Sequence, residues 1–529
     1  MGIPSYFSYI VKNHGAIIRK YVKVDNPVHN LYMDCNSVIY DVIHKNVATV
    51  SNNDIIRGVI SKIEEYIVTI DPSKLIFIAF DGVAPVAKLE QQRIRRYKSH
   101  YQNEMHKKIN PDKELAWNTA AITPGTEFMR ELNMGISEYF SLTTKFPLQK
   151  IIVSTSSDVG EGEHKLFHHI RANPLAGEET SVVYGLDADL IMLSINHLPI
   201  SPQIYLFRET PEFIKSIDNT LEPGESYLLD IPLLSETICA SMSSTPFTKS
   251  LPSSPSPSPL SIKVYDYIFL CFFLGNDFMP HFPAVNIRTG GIDKLLNAYK
   301  ATIGPKEVIT DGIKIYWKNL RKVVEQLAKM EEIYLKTETS LRSKREKYAA
   351  IAPEETPEQQ YQKFENIPTY ERQMEKYINP FKEGWQQRYY TSLFKLDITD
   401  ERRKQISINY LQGLEWTMKY YTQGCADWRW CYQYNYPPLL QDLVKYIPYF
   451  DTEFIEKERI SYPVSEIVQL LYVLPNQSLH LLPKEINEKV DKTRYPTDCE
   501  FVWAYCRYFW EAHVELPELD IDELSKEIL

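Results

Sequence analysis

The sequence predicts an α/β fold: a mainly parallel sheet flanked by helices, continued by a largely helical, aromatic-rich C-terminal region. Over about the first 200 residues, short apolar runs alternate with amphipathic stretches. Such alternation is typical of a sheet that carries helices on both faces. Beyond residue 406, tyrosine and tryptophan become frequent, which indicates a separate region with an aromatic core.

Four short apolar runs are predicted as strands, at residues 30–33, 75–80, 151–153 and 182–184. Between the first two, residues 55–67 place isoleucine and valine at helical spacing, which indicates an amphipathic helix. Acidic residues follow three of the four runs. Because ligands of such folds bind beyond the carboxyl ends of the strands, a functional site is predicted at that edge.

Four segments are predicted along the chain. They are an α/β core at 1–242, a Ser/Pro-rich disordered insertion at 243–262, a helical continuation of the core at 263–400, and an aromatic-rich region at 401–529 that packs on the site. The insertion has too few apolar residues to bury a core. A charged span at about 336–360 is predicted to be a solvated helix or loop.

Bulk composition bounds the function only loosely. A length of 529 residues favours more than one domain. No apolar run approaches the ~18 residues of a membrane span, so no membrane partner is expected. The seven cysteines include no CxxC pair, which favours reduced thiols in the cytoplasm or nucleus. A net charge of −10 is unusual for a nucleic-acid binder, although binding depends on local patches.

Seven acidic residues lie at predicted strand ends or helix starts. They are Asp34, Asp81, Glu161, Glu163, Asp187, Asp189 and Asp277. Phosphodiester hydrolysis with two divalent metals needs several carboxylates around ions ~3.5–4 Å apart, and magnesium prefers oxygen ligands. A single acid at a strand end is more often a turn former or helix cap. Acids from five segments at one predicted edge favour a metal site.

A basic helix is predicted directly after Asp81. Residues 84–100 hold five basic residues and one acidic residue, a local charge of +4. Four of its polar side chains share one helical face: Lys88, Gln92, Arg95 and Arg96. Such a face could hold a terminal phosphate by charge-assisted hydrogen bonds. Taken alone, it would more often be a solvated basic surface.

At these motifs the sequence resembles the XRN family of 5′→3′ exoribonucleases. The matching segments are 1–7 (MGIPSYF), 31–37 (LYMDCNS), 81–85 (DGVAP), 91–96 (QQRIRR), 122–128 (ITPGTEF), 160–165 (GEGEHK), 184–193 (YGLDADLIML), 273–280 (FLGNDFMP), 413–416, 428–430, 436–438 and 469–475. They follow the family order and span most of the chain. The resemblance is to a compact form that lacks a long C-terminal extension.

The resemblance implies a 5′-nuclease or PIN-like catalytic core. It implies that all seven acids bind two Mg²⁺ ions, for which Mn²⁺ can substitute. The four residues of the basic face would form the pocket for a 5′-monophosphate. The enzyme would degrade single-stranded RNA processively, release nucleoside monophosphates and act in RNA decay as a monomer. The decapping machinery is an expected partner.

The resemblance also implies an aromatic pair around the terminal base. A family histidine that stacks on this base is replaced here by Tyr40. The opposing ring would be Trp428 or Trp430, and the sequence does not choose between them. Stacking contributes ~1–3 kcal/mol per base. Either tryptophan alone could equally belong to a buried core.

Two other functions would share some of these sequence features. A flap-type 5′ nuclease acting on branched DNA would share the acidic cluster, but a helix–hairpin–helix clamp would be expected downstream. A catalytically inactive RNA-binding scaffold would be expected to lack one or more of the carboxylates, whereas all seven are present.

Overall fold

The computed structural model describes residues 2–22, 27–45, 51–111, 117–147, 149–174, 179–243, 259–304, 307–396, 398–455 and 461–528. The side chains of 259–262 and 528 are outside this description. Most of the Ser/Pro-rich insertion predicted at 243–262 therefore lies outside the described residues. A helix at Pro259–Cys271 begins inside the predicted insertion.

The strands form a seven-stranded sheet and a small hairpin. The strands are β1 Ile18–Lys20, β2 Asn30–Asp34, β3 Leu75–Ala79, β4 Lys150–Ser154, β5 Ser181–Tyr184, β6 Ile204–Glu209, β7 Ser226–Asp230, β8 Glu500–Val502 and β9 His513–Glu515. The sheet order is β1-β7-β6-β5-β2-β3-β4, and β8 pairs with β9. Strands β4, β3, β2, β5 and β6 run parallel, which confirms the mainly parallel sheet. Strands β7 and β1 are antiparallel additions at one edge.

Helices surround the large sheet and make up most of the second half of the chain. They are α1 Tyr6–Asn13, α2 Asn36–Lys45, α3 Asn52–Ile70, α4 Val86–Ile109, α5 Glu127–Leu142, α6 Gly162–Ala172, α7 Asp189–His197, α8 Ile231–Ser243, α9 Pro259–Cys271, α10 Gly291–Thr302, α11 Trp317–Ala350, α12 Pro357–Glu365, α13 Ile367–Tyr370, α14 Gln373–Ile378, α15 Trp385–Phe394, α16 Asp400–Thr422, α17 Leu440–Tyr446, α18 Glu466–Val473, α19 Lys484–Asn487 and α20 Ile521–Ile528. Short 3₁₀ turns join several of them, including Phe272–Leu274 after α9.

Local chemistry explains where several helices begin. The side chains of Ser51, Thr126 and Thr399 accept backbone N–H groups at the starts of α3, α5 and α16. Each such cap satisfies an N–H that the helix itself leaves unpaired. Helix α4 follows Pro85, whose fixed φ suits a helix start and whose missing N–H costs nothing there.

Three apolar cores hold these layers together. One covers one face of the sheet with α1, α6 and α7 and continues without a break into the helical region. A second covers the other face with α2, α3 and α5. A third joins the start of α4 to α18 and α20. The strands β2 and β3 are buried at every position because helices pack on both faces.

The charged span predicted to be solvated is partly buried. Arg342 on α11 donates to both oxygens of Glu375, at 2.9 and 2.6 Å, and Arg372 donates to the same carboxylate at 2.7 Å. All three side chains are at most 5% exposed. The prediction for 336–360 was therefore wrong at this point, because Arg342 finds a long-range partner that sequence periodicity does not reveal.

Replacing Glu375 with Gln is expected to destabilise the fold by ~3–5 kcal/mol, because two buried guanidinium groups lose their shared counter-charge. The urea midpoint of the purified variant measures this. The same exchange at the exposed Glu485 is the control and should change stability by less than ~0.5 kcal/mol. Equal midpoints for the two variants would contradict the role given to this ion cluster.

Among the described helices, none is both long and apolar enough to cross a membrane. All seven cysteines are free thiols.

Candidate active site

The parallel strands bring the predicted acids to one edge of the sheet. In the register of the sheet, Asp34 on β2 lies opposite Ala79 on β3, which in turn lies opposite Ser154 on β4. Asp81 follows β3, and Asp187 follows β5. Because parallel strands end at the same edge, these carboxylates emerge side by side.

Asp81 is held by its neighbours from two directions. The Asn36 side chain donates to Oδ2 of Asp81 at 2.7 Å and accepts its backbone N–H at 3.0 Å. The N–H of Gly162, the first residue of α6, donates to Oδ1 of Asp81 at 2.6 Å. A helix N-terminus favours a carboxylate through its unpaired N–H groups and its dipole. The position of Asp81 is therefore fixed before any ligand arrives.

Lys88 links the remaining acids. Its ammonium lies 2.6 Å from Oε1 of Glu161 and 2.7 Å from Oδ2 of Asp277. Burial alone would lower the pKa of Lys88, but the carboxylates of Asp277 and Glu161 raise it well above its usual value. The same ammonium holds the pKa of Asp277 well below its usual range despite burial. Lys88 is thus a fixed positive charge inside the acidic cluster.

One ammonium does not neutralise this cluster. Burial, and then the charge of Asp81, raise the pKa of Asp34 well above its usual value. Burial and the charge of Asp189 do the same for Glu163. Burial, and then Asp277, raise the pKa of Asp189 to about 7. Because like charges crowd a buried site, additional positive charge would stabilise the ionised carboxylates.

The donor set fits a hard divalent cation. Oδ1 of Asp34, Oε2 of Glu163 and Oδ1 of Asp189 are buried and accept no hydrogen bond. Buried polar atoms without partners are costly, so these oxygens are suited to metal coordination. Among the residues that the structure describes, no group of three His, Cys, Asp or Glu side chains is already arranged to coordinate a metal ion. Coordination of an ion would therefore require these side chains, or Lys88, to shift.

Gly162 allows the close approach of α6 to the acids. A Cβ atom at this position would lie 2.5 Å from Oδ1 of Asp34, closer than any normal contact. Gly162→Ala is therefore expected to displace Asp34 and weaken Mn²⁺ binding ~10–100-fold, as measured by isothermal titration calorimetry. Gly15→Ala is the matched control, because its Cβ would meet nothing closer than 4.0 Å. Unchanged affinity in Gly162→Ala would show that Asp34 does not contribute to binding.

The predicted phosphate-binding face lies partly inside the protein. Gln92 is 7% exposed, and its Oε1 accepts no hydrogen bond. The Arg96 guanidinium donates to the Thr123 hydroxyl, while its Nε and Nη1 lack partners. Burial, and then Arg95, lower the pKa of Arg96 to about 10, so it remains charged at neutral pH. The unpaired guanidinium nitrogens of Arg96 have the chemistry of an anion site, to which Gln92 would contribute through its amide N–H groups and not through Oε1.

A cavity of about 990 Å³ lies beside the acids. Asp187, Asp277 and Arg95 line it, together with the N-terminal residues from Gly2 to Ser8. Ligand sites typically measure ~300–1,000 Å³, so its volume suits a nucleotide, although neither Gln92 nor Arg96 lines this cavity.

The three predicted stacking residues occupy different environments. Tyr40 on α2 is half-buried, close enough to Arg96 to affect its charge. The backbone carbonyl of Trp428 accepts a hydrogen bond from the N–H of Val86 at the start of α4. Trp428 is half-buried, like Tyr40. Trp430 is 8% exposed and stacks on Trp416 with ring centroids 5.2 Å apart. Of the two tryptophans, Trp428 is thus the more exposed.

Three side chains that contact the acids had no role assigned from the sequence: Asn36, Tyr420 and Tyr421. Asn36 belongs to a quoted motif but had no assigned role. Tyr420, in the middle of the aromatic run, donates its hydroxyl to Oε2 of Glu161 at 2.7 Å. An asparagine two residues after a strand-end aspartate is a usable local signal. Nothing local to Tyr420 indicates its partner, which is 259 residues away.

Residues 1–210 match the family described as "XRN 5'-3' exonuclease N-terminus". Residues 261–379 and 344–529, in two overlapping segments, match the "Xrn1 helical domain". The chain belongs to the XRN 5′-3′ exonuclease family. The acidic cluster of this XRN chain lies in the first match and in the segment that opens the second, at Asp277.

Curated relatives with similar sequences carry exoribonuclease names. The 5′-3′ exoribonuclease 2 of Arabidopsis thaliana is 25% identical over 98% of this chain and 66% of its own length. The 5′-3′ exoribonuclease 2 homolog of Drosophila melanogaster is 25% identical over 100% of this chain and 71% of its own length. The 5′-3′ exoribonuclease 1 of Saccharomyces cerevisiae is 26% identical over 91% of this chain and 40% of its own length. The XRN chain thus spans about two thirds of the first two relatives.

Among solved structures, the catalytic core of Rad2 in complex with a DNA substrate matches with a TM-score of 0.26. Its identity is 13%, and the match covers 70% of this chain and 100% of that one. A similarity at this level carries no argument about function.

Proposed function

We propose that this protein is a processive, metal-dependent 5′→3′ exoribonuclease that degrades single-stranded RNA bearing a 5′-monophosphate. The observation that carries the proposal is that one helix, α4, serves both groups: its Lys88 pairs with Glu161 and Asp277 of the acidic cluster, and its Arg96, two turns further on, has buried nitrogens without partners. The acids are suited to Mg²⁺ or Mn²⁺, and the guanidinium is suited to a phosphate. Family membership and the names of the relatives support RNA as the substrate.

Each group of residues has a task in this mechanism. Arg96 and Gln92 hold the terminal phosphate, while Tyr40 and Trp428 stack on the first base. This fixes the first phosphodiester beside the acids, so that only one nucleotide is released at each step. The seven carboxylates would hold two Mg²⁺ ions, which supply an activated water and stabilise the developing charge when bound. Lys88 contributes a further positive charge beside Glu161 and Asp277.

The selection of a monophosphate follows from the burial of the pocket. Charge-assisted hydrogen bonds in a desolvated pocket are strong, and a 5′-hydroxyl end leaves their donors unpaired. A 5′-capped end would add bulk beside Arg96, where the guanidinium already contacts the Thr123 hydroxyl. Both ends should therefore be poor substrates.

The decisive assay uses 3′-labelled single-stranded RNA with either a 5′-monophosphate or a 5′-hydroxyl, with Mg²⁺ or EDTA. Loss of the phosphorylated RNA alone, only with Mg²⁺ and with mononucleotide products, is expected. Matched DNA oligonucleotides and a branched DNA flap run alongside. Faster cleavage of the flap would favour a flap nuclease, and no cleavage of any substrate would favour an RNA-binding scaffold.

A further inference from the structure

We infer that Tyr420 is a positioning residue for the metal centre, so that helix α16 of the aromatic-rich region completes a site whose ligands all come from elsewhere. The inference rests on the proposed metal chemistry. Tyr420 is 2% exposed, and its hydroxyl donates to Oε2 of Glu161 at 2.7 Å. The other oxygen of Glu161 is paired with Lys88 at 2.6 Å. Both oxygens of one predicted ligand are thus oriented by groups outside the acid set.

The Tyr420 ring is fixed by rings on three sides. His164 stacks on it with centroids 3.7 Å apart and an interplanar angle of 25°. Trp416 stacks on it at 4.8 Å and 27°, and Phe278 meets it edge-on at 5.5 Å. The indole N–H of Trp416 is anchored in turn by the carbonyl of Asp427 at 2.8 Å. A hydroxyl on a ring held this firmly can direct Glu161 rather than follow it.

The ring stack also connects the site to its surroundings. His164 follows the predicted ligand Glu163 on α6, and Phe278 follows the predicted ligand Asp277. The stack therefore touches the segments that carry three of the predicted ligands. The next residue of α16, Tyr421, is fully buried and hydrogen-bonds Asp189. Two consecutive tyrosines of one helix thus reach carboxylates on two different segments, Glu161 just before α6 and Asp189 at the start of α7.

A purely structural role is the competing explanation, since a buried tyrosine hydroxyl needs some acceptor. The two explanations differ in what they predict. A structural hydroxyl contributes to stability with or without metal. A positioning hydroxyl sets the geometry of a ligand, so its removal weakens metal binding in the folded protein, typically ~10–100-fold for such outer contacts.

Tyr420→Phe keeps the ring stack and removes only the hydroxyl. Tyr389→Phe is the matched control, because Tyr389 is also fully buried and donates to a carbonyl, that of Pro437 at 3.0 Å. Mn²⁺ affinity is measured by isothermal titration calorimetry on the full chain without RNA, beside thermal unfolding in EDTA. We expect ~10–100-fold weaker Mn²⁺ binding in Tyr420→Phe and wild-type affinity in Tyr389→Phe. The rate of Tyr420→Phe should recover towards wild type at saturating Mn²⁺.

Wild-type Mn²⁺ affinity in Tyr420→Phe would overturn the inference while leaving the proposed function intact. Absence of Mn²⁺ binding by the wild-type protein would instead overturn the proposed metal chemistry, and the inference with it. Should Tyr420→Phe unfold in EDTA at the assay temperature, Tyr421→Phe carries the same test through Asp189. Tyr421→Phe should also bind Mn²⁺ more weakly than Tyr389→Phe. Equal Mn²⁺ affinities of these two variants would overturn the inference.

Discussion

Asp189→Asn is expected to lower exonuclease turnover by at least ~10²–10³-fold, the usual loss when one group that stabilises transition-state charge is removed. The reason is that Oδ1 of Asp189 is buried without a hydrogen-bond partner, beside Glu163. The amide is nearly isosteric, so the side chain still fits but no longer supplies a charge to a bound cation. Single-turnover degradation of 5′-phosphorylated RNA in Mg²⁺ measures the loss.

Asp189→Asn should impair turnover but should not impair the stability of the metal-free protein. Burial, and then Asp277, raise the pKa of Asp189 from its usual 3.8 to about 7, so this group lowers the stability of the metal-free protein increasingly between these two pH values and to the full extent above pH 7. Asp189→Asn should therefore unfold in EDTA at pH 8 no earlier than wild type. The exposed Asp498 serves as the control for both assays, and Asp498→Asn should be active and equally stable. Wild-type rates in Asp189→Asn would remove this residue from the mechanism.

Arg96→Gln is expected to abolish the preference for a 5′-monophosphate. Its rate on 5′-phosphorylated RNA should fall ~10–100-fold, equivalent to one or two charge-assisted hydrogen bonds, because two of its nitrogens are buried and lack partners. The rate on 5′-hydroxyl RNA should change little, since that end makes no such contact. The ratio of kcat/KM for the two substrates is the measurement.

Lys108→Gln gives the charge-matched control for Arg96→Gln. Lys108 lies in the last turn of the same helix, α4, and is exposed. Lys108→Gln should lower the affinity for RNA slightly, and to the same extent for both 5′ ends. A similar loss of preference in the two variants would mean that the helix acts through its overall charge, and the pocket assigned to Arg96 would be wrong.

The acidic cluster could be predicted because it follows from topology. Asp34, Asp81 and Asp187 each come after a strand that the apolar pattern reveals, and the parallel pairing of β2, β3 and β5 brings them together. The pairing of Glu161 with Lys88 could not be predicted in this way. Both residues were assigned to the site, but in separate roles, and only the tertiary fold brings Lys88 on α4 to Glu161, just before α6, in one ion pair.

The contribution of the C-terminal region was harder to predict. Tryptophan and tyrosine between 410 and 432 indicate an aromatic core, and most of them do pack in one. Whether one ring of that core also reaches a carboxylate depends on contacts over hundreds of residues, as for Tyr420. The choice between Trp428 and Trp430 also could not be predicted. The two residues lie in one sequence motif, and their different burial appears only in the folded chain.

The most direct test of the metal centre is an anomalous-difference map from crystals grown with Mn²⁺ and a 5′-phosphorylated oligoribonucleotide whose first linkage resists hydrolysis. We expect two peaks ~3.5–4 Å apart among the seven carboxylates, with the 5′-phosphate at Arg96. Crystals in which the RNA is bound and no Mn²⁺ lies among these carboxylates would contradict this expectation.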